Sequence, residues 1–171
     1  MKTFSFKKSP VPLYFTLVML GFLGFMAFLP PKENADTLLA RIILLSLAFL
    51  CILFYYRSQT SKLVLSPTEL QIFGDVTNYT VQVGNLQLEQ IRTLDLRLEP
   101  KLHAAFRTWG TGLPKYATGH FTLANEQEAF IFVSDDARVV YIPTTKGKDL
   151  LLSLEQPEAF IAALKEVHAN T

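Results

Sequence analysis

The sequence has little charge and almost no cysteine. Only 18% of its 171 residues are charged, against about 25% in an ordinary soluble domain. Its one cysteine, Cys51, lies in an apolar run, so an internal disulfide is excluded and we interpret it as a buried small hydrophobic residue. The three histidines, His103, His120 and His168, are scattered, which argues against a metal site. No P-loop, GxSxG or Ser/His/Asp pattern occurs, so we predict a protein that is not an enzyme and uses no metal or cofactor.

The charges that are present divide the chain into two parts. Residues 1–57 hold six Lys/Arg against two acidic residues, inside long apolar runs, whereas residues 58–171 hold ten Lys/Arg against thirteen Asp/Glu. The first part therefore carries a net charge of about +4 and the second about −3, although the whole chain is only +1. Because duplex binding needs a basic face that neutralises several phosphates, we predict no nucleic-acid partner.

Two apolar runs predict a membrane anchor over residues 1–57. Residues 13–29 contain no charge and end at Pro30 and Pro31, and residues 37–56 contain only Arg41, close to their start. A helix of about 20 residues crosses the hydrocarbon core, and Arg41 can extend its guanidinium to the interface. We therefore predict transmembrane helices over about 12–30 and 37–56, joined as an antiparallel hairpin.

Two other interpretations of these runs remain. The first run follows Lys2, Lys7 and Lys8, which suits a signal peptide, but it is longer than the usual apolar region and no small-x-small cleavage site follows it. Both runs could instead form a buried hairpin of a soluble protein. That is disfavoured because neither run has a polar face.

Flanking charges predict the orientation of the anchor. Lys2, Lys7 and Lys8 precede the first helix, and Arg57 and Lys62 follow the second. Since cytoplasmic flanks carry the Lys/Arg excess, both termini and the following domain are predicted to be cytoplasmic. A small-residue face at Gly21 and Gly24 could let the second helix approach closely.

From residue 62 onward the pattern changes to short strands. Leu63, Leu65, Leu70 and Ile72 alternate with more polar neighbours, which is typical of half-buried strands. Further strands are predicted over 80–83, within 86–98, and over 119–124, 129–134, 139–143 and 150–154, with connectors of hairpin length such as 135–137. Residues 156–168 have helical spacing and begin with Pro157. Residues 58–171 are therefore predicted to form about seven antiparallel strands closed by a C-terminal helix.

One stretch of this domain has a distinctive pattern of glycines. It is Arg107-x2-Gly110-x-Gly112-x-Pro114-x-Tyr116-x2-Gly119-x-Phe121, and it is followed by the strands 130–133 and 138–142 and by Pro157-Glu158-x-Phe160 at the start of the helix. The pattern resembles the bacterial PH-like (pleckstrin-homology-like) domain found behind two transmembrane helices in small membrane proteins. The resemblance covers about residues 60–168. It implies a partly open β barrel with a C-terminal helix in a protein of the bacterial cytoplasmic (inner) membrane, and it implies no catalytic residues.

The glycine-rich stretch is also the strongest candidate for a binding site. No acidic residue occurs from 100 to 125, yet Lys101, Arg107 and Lys115 do, with Trp109 and Tyr116 among and beside them. Cations and an exposed aromatic side chain on a glycine-rich loop suit an anionic lipid headgroup or a peptide. The alternative is structural: the glycines serve turns, Trp109 and Tyr116 fill the core, and Arg107 pairs with a carboxylate.

These observations predict a membrane-tethered interaction module that contacts the lipid bilayer and binds a partner protein, another copy of itself or lipid headgroups. The predicted contact residues are Arg107, Trp109, Lys115 and Tyr116. The open sheet edge of such a domain offers a further docking mode, in which a peptide adds as a strand. The alternative function is a structural subunit of a larger membrane complex. Catalysis by the Asp135–Asp136 turn is disfavoured, since paired carboxylates need a pocket and a partner.

Overall fold

The computed structural model describes residues 1–29 and 37–169. It has three α-helices and ten strands within this part of the chain, and four single turns of 3₁₀ helix between residues 83 and 102. The helices are α1 (Val11–Phe28), α2 (Thr37–Thr60) and α3 (Pro157–Ala169). The strands are β1 (Lys2–Ser5), β2 (Lys62–Leu65), β3 (Glu69–Phe73), β4 (Asn78–Gln82), β5 (Arg92–Leu94), β6 (Ala104–Leu113), β7 (Tyr116–Leu123), β8 (Glu128–Val133), β9 (Val139–Ile142) and β10 (Asp149–Leu152).

Both α1 and α2 are long and apolar enough to cross a membrane, as predicted. Few of their side chains are buried by the protein, and large apolar residues such as Phe25, Leu45 and Phe49 are more than half exposed. A soluble protein rarely leaves so much contiguous apolar surface in water. The segment predicted to join the helices, residues 30–36, lies outside the described residues.

The two long helices pack against each other. The Thr16 hydroxyl donates a hydrogen bond to the Cys51 carbonyl at 3.4 Å, and the rings of Phe15 and Phe54 meet edge to face. The predicted close approach at Gly21 and Gly24 is wrong. A Cβ atom at either glycine would meet nothing within 4 Å, so among the described residues no side chain packs against that face.

Four strands form an antiparallel sheet in the order β1-β2-β3-β4. Its first strand comes from the residues before α1: Lys2 pairs with Leu65, and Ser5 pairs with Lys62. The predicted division at residue 57 assigns these first residues to the anchor, whereas here they belong to the β domain. The physical reason is Phe6, whose ring is buried and stacks on Phe132 at 3.8 Å. Burial of this ring holds the N-terminal segment on the domain.

The other six strands form a second sheet in the order β5-β9-β10-β8-β7-β6. All neighbours are antiparallel except β8 and β10, which are parallel. The prediction of antiparallel strands joined by hairpins therefore needs a correction here, because the connector at 135–137 joins β8 to β9 across the intervening β10. All four residues of β10 are buried, and three of them are leucines, so a central position suits this strand. The described strands form two sheets and no closed barrel.

Most of the stretch 86–98, where the sequence predicts alternating strand structure, is not a strand. Only Arg92–Leu94 is a strand, and Leu96–Leu98 is a turn of 3₁₀ helix. The Asp95 carboxylate accepts a hydrogen bond from the Arg97 backbone N–H and thereby caps this turn, which competes with extended structure.

The core has two layers, one on each face of the six-stranded sheet. Between the sheets, Leu63, Ile72, Phe130 and Phe132 pack with Phe160 of α3, so the predicted C-terminal helix is confirmed as part of the fold. The other layer comprises residues such as Phe121, Leu123, Ile131 and Leu151 and is covered by the segment that contains Leu102. Strands β8 and β10 contribute side chains to both layers. Strand β8 also pairs with β7, which belongs to the hairpin that carries the candidate residues.

Candidate functional site

The glycine-rich stretch forms a long β hairpin. Strands β6 and β7 pair from Ala104–Leu123 to Leu113–Tyr116, and Pro114 and Lys115 form the turn. Lys115 has a φ of 60°, a left-handed conformation that is usual in tight turns. The prediction of a loop is therefore replaced by a rigid two-stranded element.

The hairpin depends on two glycines that lie directly opposite each other. Gly110 pairs with Gly119, and their φ angles are 130° and 116°. A Cβ atom on Gly110 would clash with the Thr118 carbonyl oxygen and lie 2.8 Å from the Gly119 Cα atom. These two glycines therefore allow the backbones of the two strands to approach closely. This approach explains their presence without a bound ligand.

Strand β6 is an edge of the six-stranded sheet, and among the described residues no further strand pairs with it. Its side chains are largely exposed: Phe106 is 68% exposed and Trp109, the single tryptophan, is 62% exposed. The alternative in which Trp109 fills the core is therefore excluded. Unpaired edge strands and exposed apolar side chains are features through which proteins associate with other chains.

A bulge in β6 separates two of the predicted contact residues. Arg107 pairs with Phe121, and Trp109 pairs with His120, because the register shifts between them. Directly paired residues of antiparallel strands project to the same face, so Arg107 and Trp109 lie on opposite faces of the hairpin. The Arg107 side chain lies along the strand over Gly112, since a Cβ atom there would be 3.2 Å from a guanidinium nitrogen.

Tyr116, the fourth predicted contact residue, belongs to the core, in agreement with the structural alternative for this side chain. It is only 3% exposed, and its hydroxyl donates a hydrogen bond to Asp75 Oδ2 at 3.3 Å. Burial, together with the negative charge of Asp75, raises the pKa of Tyr116 well above its usual range. We therefore correct the candidate set by removing Tyr116 as a surface contact.

Asp75 links this hairpin to the end of α2. Its carboxylate is 1% exposed and accepts hydrogen bonds from the Tyr116 hydroxyl, the Thr118 hydroxyl and the Val76 backbone N–H. Its carbonyl oxygen accepts a hydrogen bond of 2.7 Å from Arg57 Nε. The turn end of the hairpin is thereby linked to the end of α2. Sequence inspection missed Asp75, whose signal is only a Gly-Asp pair that reads as an ordinary turn.

Lys115 lies beside a shallow groove of about 340 Å³. Arg97 and Asp136 also line this groove, with Leu113 and Ile131 as apolar walls. Arg97 is already paired with Asp95. Asp136 and the ion-paired Arg97 line the groove together with Lys115. The net charge of the groove therefore gives little attraction for an anion.

His120 is the one histidine with an unusual environment. Its ring packs edge to face on Phe130 and Tyr79, and its buried Nδ1 atom has no hydrogen-bond partner among the described residues. Burial lowers the pKa of His120, with a smaller contribution from the positive charge of Lys148. Residues 1–29 and 37–169 contain no group of three His, Cys, Asp or Glu side chains placed to hold a metal ion.

The comparisons with known proteins identify the second half of the chain. Residues 84–168 match the family described as the bacterial PH domain, which confirms the resemblance. The match includes all of the six-stranded sheet and nearly all of α3, whereas β1 to β4 lie outside it. Searches of curated proteins and of solved structures found no significant match to the chain.

Proposed function

Because this chain carries a domain of the bacterial PH family, we propose that it is a non-catalytic interaction module, tethered to a membrane by α1 and α2, whose β6–β7 hairpin binds a partner protein. The observation that carries the proposal is the exposure of Trp109 and Phe106 on an unpaired edge strand. Exposed aromatic side chains are enriched at the energetic centres of protein interfaces. The free backbone groups of β6 can accept an extended segment of the partner as an added strand.

A protein partner fits this hairpin better than a lipid headgroup does. Arg107 and Trp109 lie on opposite faces, and Lys115 is at the tip, so the cations do not converge on one point. A basic residue near an anionic leaflet contributes about 1 kcal/mol, which is little for scattered charges. The proposed contact set is therefore Phe106, Arg107 and Trp109, with Lys115 at its margin.

The proposal can be tested by site-specific photo-crosslinking of the full chain in its membrane. A photoreactive amino acid replaces Phe106 in one variant and Lys146, an exposed residue of the β9–β10 connection, in a matched control. We expect one discrete protein adduct from position 106 and none from position 146. We also expect the adduct from position 106 to be lost when Trp109→Ser is added, because the neighbouring aromatic contact is removed.

Equal adducts from both positions, or none from position 106, would contradict the docking role of β6. An adduct with twice the mass of the chain would identify the partner as a second copy. Fluorescence gives an independent check, since Trp109 is the single tryptophan of the sequence and its emission must shift to shorter wavelength when the hairpin is covered.

We further propose that the membrane is the bacterial cytoplasmic membrane and that the β domain faces the cytoplasm. The Lys/Arg residues that flank α1 and α2 on the domain side support this orientation. The test uses a Cys51→Ala background with Lys146→Cys in the domain or Glu33→Cys in the linker. A membrane-impermeant maleimide should label Glu33→Cys in intact spheroplasts and Lys146→Cys only after permeabilisation, and the reverse pattern would overturn the orientation.

A second candidate function is that of a structural subunit in a larger membrane complex. The feature that favours it is the exposed Gly21 and Gly24 face of α1, which could receive a helix of another protein. In that case Gly21→Leu/Gly24→Leu would disrupt a complex purified in mild detergent, while Trp109→Ser or charge reversal at Lys115 would leave it intact. The module hypothesis expects the opposite result for Trp109→Ser.

A further inference from the structure

A polar cavity of about 270 Å³ lies where the two long helices meet the β domain. Its walls come from the segment before α1, from the last turn of α2 and from the start of β2. Phe132 and Tyr116 of the core line its inner side. The cavity is separate from the exposed face of the β6–β7 hairpin.

The charged groups that line this cavity are all positive. They are Lys7, Lys8 and Lys62, and no Asp or Glu is among the described lining residues. Lys7 forms an ion pair with Asp135. Within residues 1–29 and 37–169, neither Lys8 nor Lys62 pairs with a carboxylate. Lys62 Nζ lies over the Phe73 ring, 5.6 Å from its centre, and this contact leaves its positive charge without an anionic partner among these residues.

One buried hydroxyl in the cavity has a hydrogen to donate. Ser9 is about nine-tenths buried, and its Oγ accepts a 3.2 Å hydrogen bond from the Val11 backbone N–H. No described group accepts the Ser9 hydroxyl hydrogen. By contrast, Thr60 and Ser61 donate to carbonyl oxygens of α2, which leaves them only as acceptors. Two ammonium groups without a carboxylate partner and one hydroxyl with a hydrogen to donate are groups that bind phosphate oxygens.

The position of the cavity indicates where such a phosphate comes from. The apolar part of α1 begins at Leu13, directly after the lining residue Pro12, and the apolar part of α2 ends at Tyr56, two residues before the lining residue Ser58. If the helices span a membrane as proposed, the cavity lies at the level of the lipid phosphates. Lysines near helix ends occupy that level.

We propose that this cavity binds the phosphate group of an anionic membrane phospholipid, with Lys8, Lys62 and Ser9 as its ligands. The inference rests on the proposed membrane location but not on the partner-binding role of the hairpin. A headgroup held there would fix the β domain against the bilayer surface and orient β6 toward its partner.

The experiment uses the full chain in a non-ionic detergent, with bound lipids counted by native mass spectrometry during titration with phosphatidylglycerol or phosphatidylcholine. Wild type is expected to bind one phosphatidylglycerol with clear preference over phosphatidylcholine. Lys8→Gln/Lys62→Gln should weaken this binding about thirtyfold, if each ammonium contributes about as much as a basic residue at an anionic surface. The charge-matched control Lys146→Gln/Lys165→Gln should bind like wild type, and Ser9→Ala should weaken binding less than the double lysine variant.

Equal binding of the two lipids, or equal weakening in both double variants, would overturn the proposal. Displacement of phosphatidylglycerol by the same concentration of inorganic phosphate would also overturn it, because the site would then recognise a free anion. Both lysines are surface residues, so their replacement leaves the core intact, and circular dichroism of each variant checks this. A Trp109→Ser variant must retain the lipid, which separates this test from that of the hairpin.

Discussion

The hydroxyl group of Tyr116 donates a hydrogen bond to the buried carboxylate of Asp75, with 3.3 Å between Tyr116 Oη and Asp75 Oδ2. The same aspartate accepts a hydrogen bond from Arg57 of α2 through its carbonyl oxygen. The residue that holds the turn end of the hairpin is therefore also bonded to Arg57, near the end of α2. Asp75 therefore couples the two elements, because α2 bonds its carbonyl oxygen and the hairpin bonds its buried carboxylate, an acceptor that is costly to leave with fewer partners.

The first prediction concerns this bond. Tyr116→Phe should lower the free energy of unfolding by about 1–3 kcal/mol, because it leaves a buried acceptor oxygen with fewer partners. Thermal unfolding of the full chain in detergent measures the change, with Tyr56→Phe as control, since Tyr56 is exposed on α2. An equal midpoint in wild type and Tyr116→Phe would mean that the bond contributes nothing.

The second prediction is a loss of stability at alkaline pH. Burial raises the pKa of Tyr116, and burial together with the hydrogen bond to Asp149 raises the pKa of Tyr141. A raised pKa in the folded state gives a contribution that is complete below the unfolded value of about 10 and is lost as the pH rises toward the folded value. The free energy of unfolding should therefore fall above about pH 10. Urea titrations across this range should show a shallower fall in Tyr116→Phe/Tyr141→Phe, and an unchanged slope would refute the assignment.

The third prediction tests the paired glycines of the hairpin. Gly110→Ala should destabilise the domain by roughly 2–5 kcal/mol, because the new Cβ atom meets the Thr118 carbonyl and the backbone keeps a positive φ. Gly84→Ala is the matched control, since nothing lies within 4 Å of its Cβ position, and its effect should stay within about 0.5 kcal/mol. Similar losses in both variants would indicate a general effect of alanine instead of a clash between strands.

The fourth prediction concerns the N-terminal segment. Phe6→Ala should lower the free energy of unfolding by about 3–5 kcal/mol, because Phe6 is 4% exposed and stacks on Phe132. Phe106→Ala, which removes an exposed ring of the same kind, should leave stability nearly unchanged. Denaturant unfolding followed by circular dichroism measures both. Equal stability of Phe6→Ala and Phe106→Ala would mean that the first residues do not belong to the domain.

The pairing of β1 with β2 determines which fragments of the chain retain a complete β domain. Residues 58–171 alone lack β1 and Phe6, and they leave the β2 edge of the four-stranded sheet unpaired. An unpaired edge strand promotes association between copies. Binding measurements are therefore best made on the full chain.

The sequence alone determined the features that depend on local pattern. Two long apolar runs without a polar face specify α1 and α2, since only helices satisfy their own backbone groups in an apolar environment. Alternation at Leu63, Leu65, Leu70 and Ile72 specifies β2 and β3, and helical spacing after Pro157 specifies α3. The glycine pattern that starts at Arg107 indicated the family. This pattern is visible in the sequence because the close strand pairing at Gly110 and Gly119 leaves no room for any other residue.

Tertiary structure decided everything that depends on contacts between distant segments. The sequence could not tell that Lys2–Ser5 would pair with β2 or that β10 would lie parallel to β8, because pairing partners far apart in the chain leave no periodic signal. It could not separate Trp109 from Tyr116 either, since both are aromatic residues on one hairpin. Trp109 lies on the exposed edge strand β6, whereas Tyr116 is buried and bonded to Asp75. This difference in burial decides which of the two can meet a partner.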